Sequence, residues 1–162
     1  MPRDGTRGKY VQFLGSDFLS KTVLLTGISG YIGLHCAREL LDAGFEVRGT
    51  IRDSNKVSVV QNALTLTDEE LKHLTFVVLD LTSDNGWDEA VQGCDYVMHV
   101  ASPFRIANPK IESDMIGPAV EGTERVLRAT QRANVKRIVI TGSIVSMIAS
   151  FRHGRFGPND WT

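Results

Sequence analysis

From Val23 to Gly33 the chain reads Val-Leu-Leu-Thr-Gly-Ile-Ser-Gly-Tyr-Ile-Gly, a short apolar run set directly against three glycines spaced three apart. The run Thr22 to Thr26 is brief, β-branched and continuously apolar at its centre, the pattern of a strand covered on both faces. After Gly30 the residues Gly33, Ala37, Leu40 and Gly44 fall at helical spacing, Leu34 and Leu41 widen the stripe, and Arg38, Glu39 and Asp42 fill the outer face. Gly44 reads as the C-terminal stop of that helix. A strand that halts on Gly27 can turn sharply. Gly30 leaves no side chain between the turn and an approaching anion, and Gly33 lets the helix lie close to the sheet. The orphan N–H groups and positive dipole end of the helix then face a phosphate. Glycine triplets also mark ordinary turns, so the order strand, glycine turn, helix is what points to nucleotide binding.

The rest of the chain alternates apolar strands with helical patterns, with no internal repeat. Strands are expected at Glu46 to Ile51, Phe76 to Leu79, Tyr96 to Val100 and Arg137 to Thr141. Thr67-Asp68-Glu69-Glu70 has capping-box spacing and opens a short helix through Leu71 to Leu74. Trp87 to Val91 makes another, ending at Gly93. A long helix from about Ile111 to Ala133 places Val120, Thr123, Val126, Leu127 and Thr130 on its inner face, with Pro118 kinking or restarting it. Strands joined by helical crossovers call for an α/β fold, a doubly wound parallel sheet in the order 3-2-1-4-5. Ligands on such sheets sit outside the carboxyl ends of the strands at the switch point between strands 1 and 4. Those ends are Thr26 to Gly30, Ile51 to Asp53, Asp80 to Thr82, Val100 to Pro103 and Thr141 to Ser143.

With 162 residues the chain has enough length for one domain with a two-sided core. A formal net charge of -1 gives no electrostatic case for nucleic acid or an anionic membrane. No apolar stretch approaches the roughly 20 residues of a membrane span, and the first residues lack the apolar core of a signal peptide. Cys36 and Cys94 have no metal-ligand companions and read as buried thiols in a reducing compartment, so a cytoplasmic protein is expected. Residues 1–20 form a polar lead-in, residues 21–143 the nucleotide-binding domain, and residues 144–162 the start of a further region.

The segment Thr26 to Gly33 resembles the Thr-Gly-x-x-Gly-x-x-Gly motif of the extended short-chain dehydrogenases/reductases, within the NAD-dependent epimerase/dehydratase superfamily. Four more segments carry the likeness: Val47 to Asp53, Asp80-Leu81, His99-Val100-Ala101-Ser102-Pro103, and Val120-Glu121-Gly122-Thr123. Together they are similar to the dihydroflavonol reductase and cinnamoyl-CoA reductase group, over residues 22–162. The resemblance implies a Rossmann-like site for NADP(H), with Thr26, Gly27, Ser29, Gly30, Tyr31, Ile32 and Gly33 around the phosphates. It also implies Asp80 and Leu81 at the adenine, and Val100, Ala101 and Ser102 beneath the ribose and nicotinamide. Where NAD-selective folds place a carboxylate, Arg52 offers bidentate pairing to a 2'-phosphate, and Lys56 can add a point charge. The plainer alternatives are a solvated basic edge for Arg48, Arg52 and Lys56 and a turn carboxylate or helix N-cap for Asp80. His99 ends a buried strand and reads as a core group.

By resemblance the reaction moves hydride between nicotinamide and a small-molecule carbonyl or alcohol, with Ser143 orienting the substrate oxygen and Ser146 a weaker candidate. As a bare sequence feature, Ser143 equally suits a turn. The family's Tyr-x-x-x-Lys pair is missing: the tyrosines are Tyr10, Tyr31 and Tyr96, and four residues beyond them stand Leu14, His35 and Val100. The expected protein is therefore the NADP(H)-binding part of a carbonyl reductase, inactive alone. A non-catalytic NADP(H)-binding module and part of a nucleotide-sugar epimerase or dehydratase stay open, and NAD(H) is the lesser cofactor candidate. The related enzymes suggest a homodimer through the helix at 111–133.

Overall fold

A computed structural model of the chain describes residues 21–103, 111, 113–148, 157 and 159. The lead-in at residues 1–20, Tyr10 included, and most of the segment after residue 148 lie outside the described residues. Five parallel strands form one sheet: β1 (Thr22–Thr26), β2 (Glu46–Ile51), β3 (Leu74–Val78), β4 (Tyr96–His99) and β5 (Arg137–Ile140). Their spatial order is β3-β2-β1-β4-β5, the doubly wound arrangement. The register sets Leu24 opposite Arg48 on one side and Val97 on the other, and Thr26 opposite His99.

Because side chains alternate across a strand, consecutive residues of β1 enter different cores. Leu24 joins Val97, Leu79, Trp87, Val91 and Val126 on one face. Leu25 joins Ile28, Ala37, Leu41, Val47 and Val60 on the other. The first core is covered by α4 (Trp87–Val91) and α5 (Ser113–Arg132), the second by α1 (Tyr31–Asp42) and α2 (Lys56–Leu64). Helix α1 ends as its glycine requires: Gly44 takes φ +84°, its N–H reaches Leu41 O, and the Phe45 N–H reaches Leu40 O. This is the paired closure that a left-handed residue just past a helix permits.

Several expectations are corrected. The capping box forms at Thr67, but α3 (Asp68–Lys72) is shorter than expected. Leu74 belongs to β3, because its apolar side chain is buried and its backbone pairs with Val47. Helix α2 was not anticipated; its β-branched residues mask a helical spacing of Val57, Val60 and Leu64, the last two of them buried. The buried face of α5 is Gly122, Val126, Ala129 and Thr130, whereas Val120 and Leu127 are exposed. A Cβ on Gly122 would stand 3.1 Å from Leu81 Cβ, so the helix crosses Leu81 on its smallest residue, and that approach fixes its rotation. Helix α5 runs through Pro118 without restarting. Cys94 is buried, but Cys36 is only half-buried; both are free thiols. β4 and β5 each end one residue earlier than expected. Among the described residues no helix is long and apolar enough to cross a membrane.

Candidate functional site

A cleft of about 560 Å³ opens at the carboxyl ends of β1, β2, β3 and β4. Its wall at β1 is the glycine turn. Gly27 takes φ +71° and closes the turn by accepting the Gly30 N–H at 3.0 Å, while its own N–H donates to Thr50 Oγ1 at 3.2 Å. Ile28 is fully buried and presses on Gly49, where a Cβ would come within 2.5 Å of Ile28 Cδ1. The turn is thus pinned from below by an apolar plug. A Cβ on Gly33 would lie 2.1 Å from Gly27 O, so no other residue lets α1 start so close to the turn. At Gly30 the nearest such neighbour is Gly27 O at 3.4 Å, an ordinary van der Waals contact that a methyl group would tolerate.

Helix α1 begins with the N-cap Gly30, which supplies no side-chain cap, and its first turn contains no acidic residue. The first intrahelical bond runs from Leu34 N to Gly30 O, so the N–H groups of Tyr31, Ile32 and Gly33 precede the helical ladder. All three residues line the cleft. Uncapped donors, the positive end of a helix dipole and an approach that glycine leaves open fit a bound phosphate group.

At the second wall, Arg52 is exposed on the rim just beyond β2. Asp80, beyond β3, accepts from the Thr82 N–H and from Thr82 Oγ1, both at 2.8 Å. These two bonds, the backbone one foremost, hold its carboxyl below the usual range, and the Arg52 charge adds to the effect. The turn-carboxylate alternative for Asp80 is therefore realised without removing it from the cleft, which it lines together with Leu81. Leu81 is mainly a core residue, packed with Trp87 and Val126. Lys56 opens α2, is exposed, and is not part of the cleft lining.

The floor comes from Val100, Ala101 and Ser102. Thr26 lies beneath it, fully buried rather than lining the cleft, and its Oγ1 accepts the Val100 and Ala101 N–H groups at 3.0 Å each. His99 is buried beside Thr26, and burial pushes its pKa down. Beyond β5, Ser143 is exposed and outside the cleft lining. Its Oγ accepts the Val145 N–H at 3.3 Å at the start of α6 (Val145–Ile148), and its carbonyl accepts from Ser146 Oγ at 2.6 Å. Tyr31 is 80% exposed at the start of α1, and Tyr96 is half-buried in β4.

Three residues were missed by the sequence reading. Thr50 anchors the turn, Thr82 fixes Asp80, and Trp87, 2% exposed, closes the cleft near Leu81 while its Nε1–H donates to Ser83 O at 3.0 Å. Only Thr82 left a local signal, as a hydroxyl residue two positions after an aspartate at a strand end.

The sequence profile of the NAD dependent epimerase/dehydratase family matches residues 23–157. The chain is 38% identical over 131 residues to a bifunctional dihydroflavonol 4-reductase/flavanone 4-reductase from Malus domestica, covering 80% of this chain and 37% of that protein. Among solved structures it is similar to Gre2 from Candida albicans in complex with NADPH, at 28% identity and a TM-score of 0.69 over 78% of this chain and 38% of that one. Vestitone reductase from alfalfa (Medicago sativa L.) aligns at 29% identity and a TM-score of 0.61, over 79% of this chain and 38% of that one. The chain thus spans less than two fifths of the length of these relatives. A match that begins on β1, takes in the glycine turn and runs through all five strands means that this chain belongs to the NAD dependent epimerase/dehydratase family.

Proposed function

We propose that the chain is the NADP(H)-binding part of a reductase acting on a small-molecule carbonyl. The observation that carries this reading is the open, uncapped start of α1 above the glycine turn, with Arg52 on the same cleft's rim where a 2'-phosphate would lie. The Candida albicans relative bound to NADPH supports the choice of phosphate form.

In this reading residues 21–143 are the dinucleotide domain and residues 144–162 open the substrate side. Ser29 and the amides of Tyr31, Ile32 and Gly33 hold the pyrophosphate. Arg52 pairs with the 2'-phosphate, and Lys56, standing outside the lining, contributes a longer-range charge at most. Asp80 accepts from the adenine amine beside Leu81, and Val100, Ala101 and Ser102 support the ribose and nicotinamide. Thr26 acts through the backbone it holds. Bound NADPH supplies the hydride. Ser143, at the carboxyl end of β5, orients the substrate oxygen.

No tyrosine here is followed four residues later by lysine, so the chain lacks its family's proton donor and does not turn over alone. The exposed apolar residues Val139 and Ile140 on the edge strand β5 fit a need for further covering structure. A cytoplasmic location and a homodimer through α5, whose Ile116, Val120 and Leu127 are exposed, belong to the same proposal. A net charge of -1 gives no reason to expect nucleic acid.

Titration of the 162-residue chain with NADPH tests the binding claim. Arg52→Ala should weaken NADPH about tenfold, the worth of one charge-assisted contact, and remove the preference over NADH. Unchanged affinity and preference would overturn the assignment of Arg52. Carbonyl reduction by this chain alone at about 1 per second or faster, the ordinary range for enzymes, would overturn its inactivity.

A further inference from the structure

The hydrogen bonds around Thr26 leave one arrangement of protons. A hydroxyl oxygen has two lone pairs and one proton to give. The amides of Val100 and Ala101 fill both lone pairs of Thr26 Oγ1 at 3.0 Å. The hydroxyl proton must then go to the remaining partner, His99 Nδ1 at 2.8 Å. That nitrogen must be bare, which leaves the imidazole neutral with its proton on Nε2. A proton on Nδ1 would bring three donors onto two lone pairs and strand the hydroxyl hydrogen.

The pair sits where three strand ends meet. Thr26 is opposite His99 in the β1–β4 register, and His99 is opposite Ile140 in β5. The His99 carbonyl also accepts from the N–H of Thr141 at 3.0 Å. A Cβ on Gly27 would stand only 3.0 Å from Ala101 Cα, so the cleft floor and the glycine turn touch back to back. Whatever fixes Ala101 therefore fixes the spacing between them.

We infer that His99 is a positioning residue: by taking the Thr26 hydroxyl proton on Nδ1, it frees both lone pairs of Thr26 to clamp the Val100 and Ala101 amides that form the cleft floor. Thr26 is the relay in this device and never touches the ligand. Burial of the ring, which disfavours its charged form, works in the same direction. The consequence for nucleotide affinity rests on the NADP(H) reading above; the proton arrangement does not.

The test has two independent arms. Long-range proton–nitrogen NMR on the uniformly labelled chain, with His99 assigned from the His99→Asn variant, should give a bare Nδ1 and a protonated Nε2. Amide exchange at Val100 and Ala101 should be slow in the parent and in Thr26→Ser, and fast in Thr26→Val and His99→Leu. His99→Asn keeps an acceptor near the Nδ1 position and should restore slow exchange. NADPH should bind Thr26→Ser within about threefold of the parent and Thr26→Val about tenfold more weakly, the worth of a lost buried hydrogen bond. A proton on Nδ1, or equally slow exchange in Thr26→Val and His99→Leu, would overturn the inference. Failure of the parent to bind NADPH would refute the nucleotide reading and leave the first arm decisive for His99.

Discussion

Gly33 and Gly30 stand three residues apart in one turn, yet their substitution by alanine should damage different things. In Gly33→Ala the new methyl would lie 2.1 Å from Gly27 O and 2.9 Å from both Gly27 C and Ile28 Cα, all of them backbone atoms. Relief requires α1 to move about 1 Å off the turn. A gap of that size forfeits roughly a quarter to a half of the dispersion well for each separated atom pair, about 1–2 kcal/mol for the sheet-facing side of one buried leucine such as Leu41. Adding Ala37 and the residual clash gives about 3–4 kcal/mol, from which the better helix propensity of alanine returns about 1. The expected net loss is about 2–3 kcal/mol, a large share of the roughly 5–15 kcal/mol that stabilises a domain. In Gly30→Ala the methyl makes only an ordinary contact, 3.4 Å from Gly27 O, at an ordinary φ of -83°, so the fold should lose about 1 kcal/mol or less. On the nucleotide reading proposed above, that methyl would stand against the pyrophosphate, and NADPH affinity should fall at least about tenfold, equivalent to about 1.4 kcal/mol. Urea unfolding measures the first effect as a shifted midpoint at constant slope, and nucleotide titration measures the second. A Gly33→Ala chain within about 0.5 kcal/mol of the parent, the scatter of neutral surface changes, would refute the close approach of α1. Equal destabilisation of the two variants would refute the division of labour between the glycines.

The capping box of α3 is a separate unit. Thr67→Ala removes an acceptor for the Glu70 N–H and should cost about 1 kcal/mol in urea unfolding, with Thr67→Ser retaining most of it. Acid should destabilise the fold in two stages. Burial depresses the His99 pKa, so below its ordinary value of 6.5 the unfolded chain takes up a proton first, and stability falls with pH until the folded histidine also titrates. Glu70 is held at about 2 against an ordinary 4.5 by its bonds to Thr67, the backbone one foremost, and by Arg38. Its contribution is full above 4.5 and is lost as pH falls toward about 2. Unfolding midpoints measured from pH 7 to pH 3 check both stages, and stability that stayed flat below pH 6.5 would contradict the His99 assignment.

Much of this protein is written locally. The apolar centre of β1, the glycine turn, the stop at Gly44 and the box at Thr67 depend on neighbours a few residues away, so spacing and residue type alone identify them. The strand order also followed, because right-handed crossovers between parallel strands leave few ways to cover both faces of a sheet. What the sequence could not disclose was decided by contacts between distant residues. The face that α5 buries depends on how Gly122 meets Leu81, and that meeting overrode an apolar stripe containing Val120 and Leu127. Lys56 and Arg52 looked alike as basic residues near one strand end, yet α2 leaves Lys56 outside the cleft lining while Arg52 reaches its rim. Thr26 matched a binding motif by position, but its hydroxyl turns inward to a histidine 73 positions away. Residue type told which groups could bond; only the register of β1 against β4 brought Thr26 and His99 together and made the threonine a support for the site rather than a part of its surface.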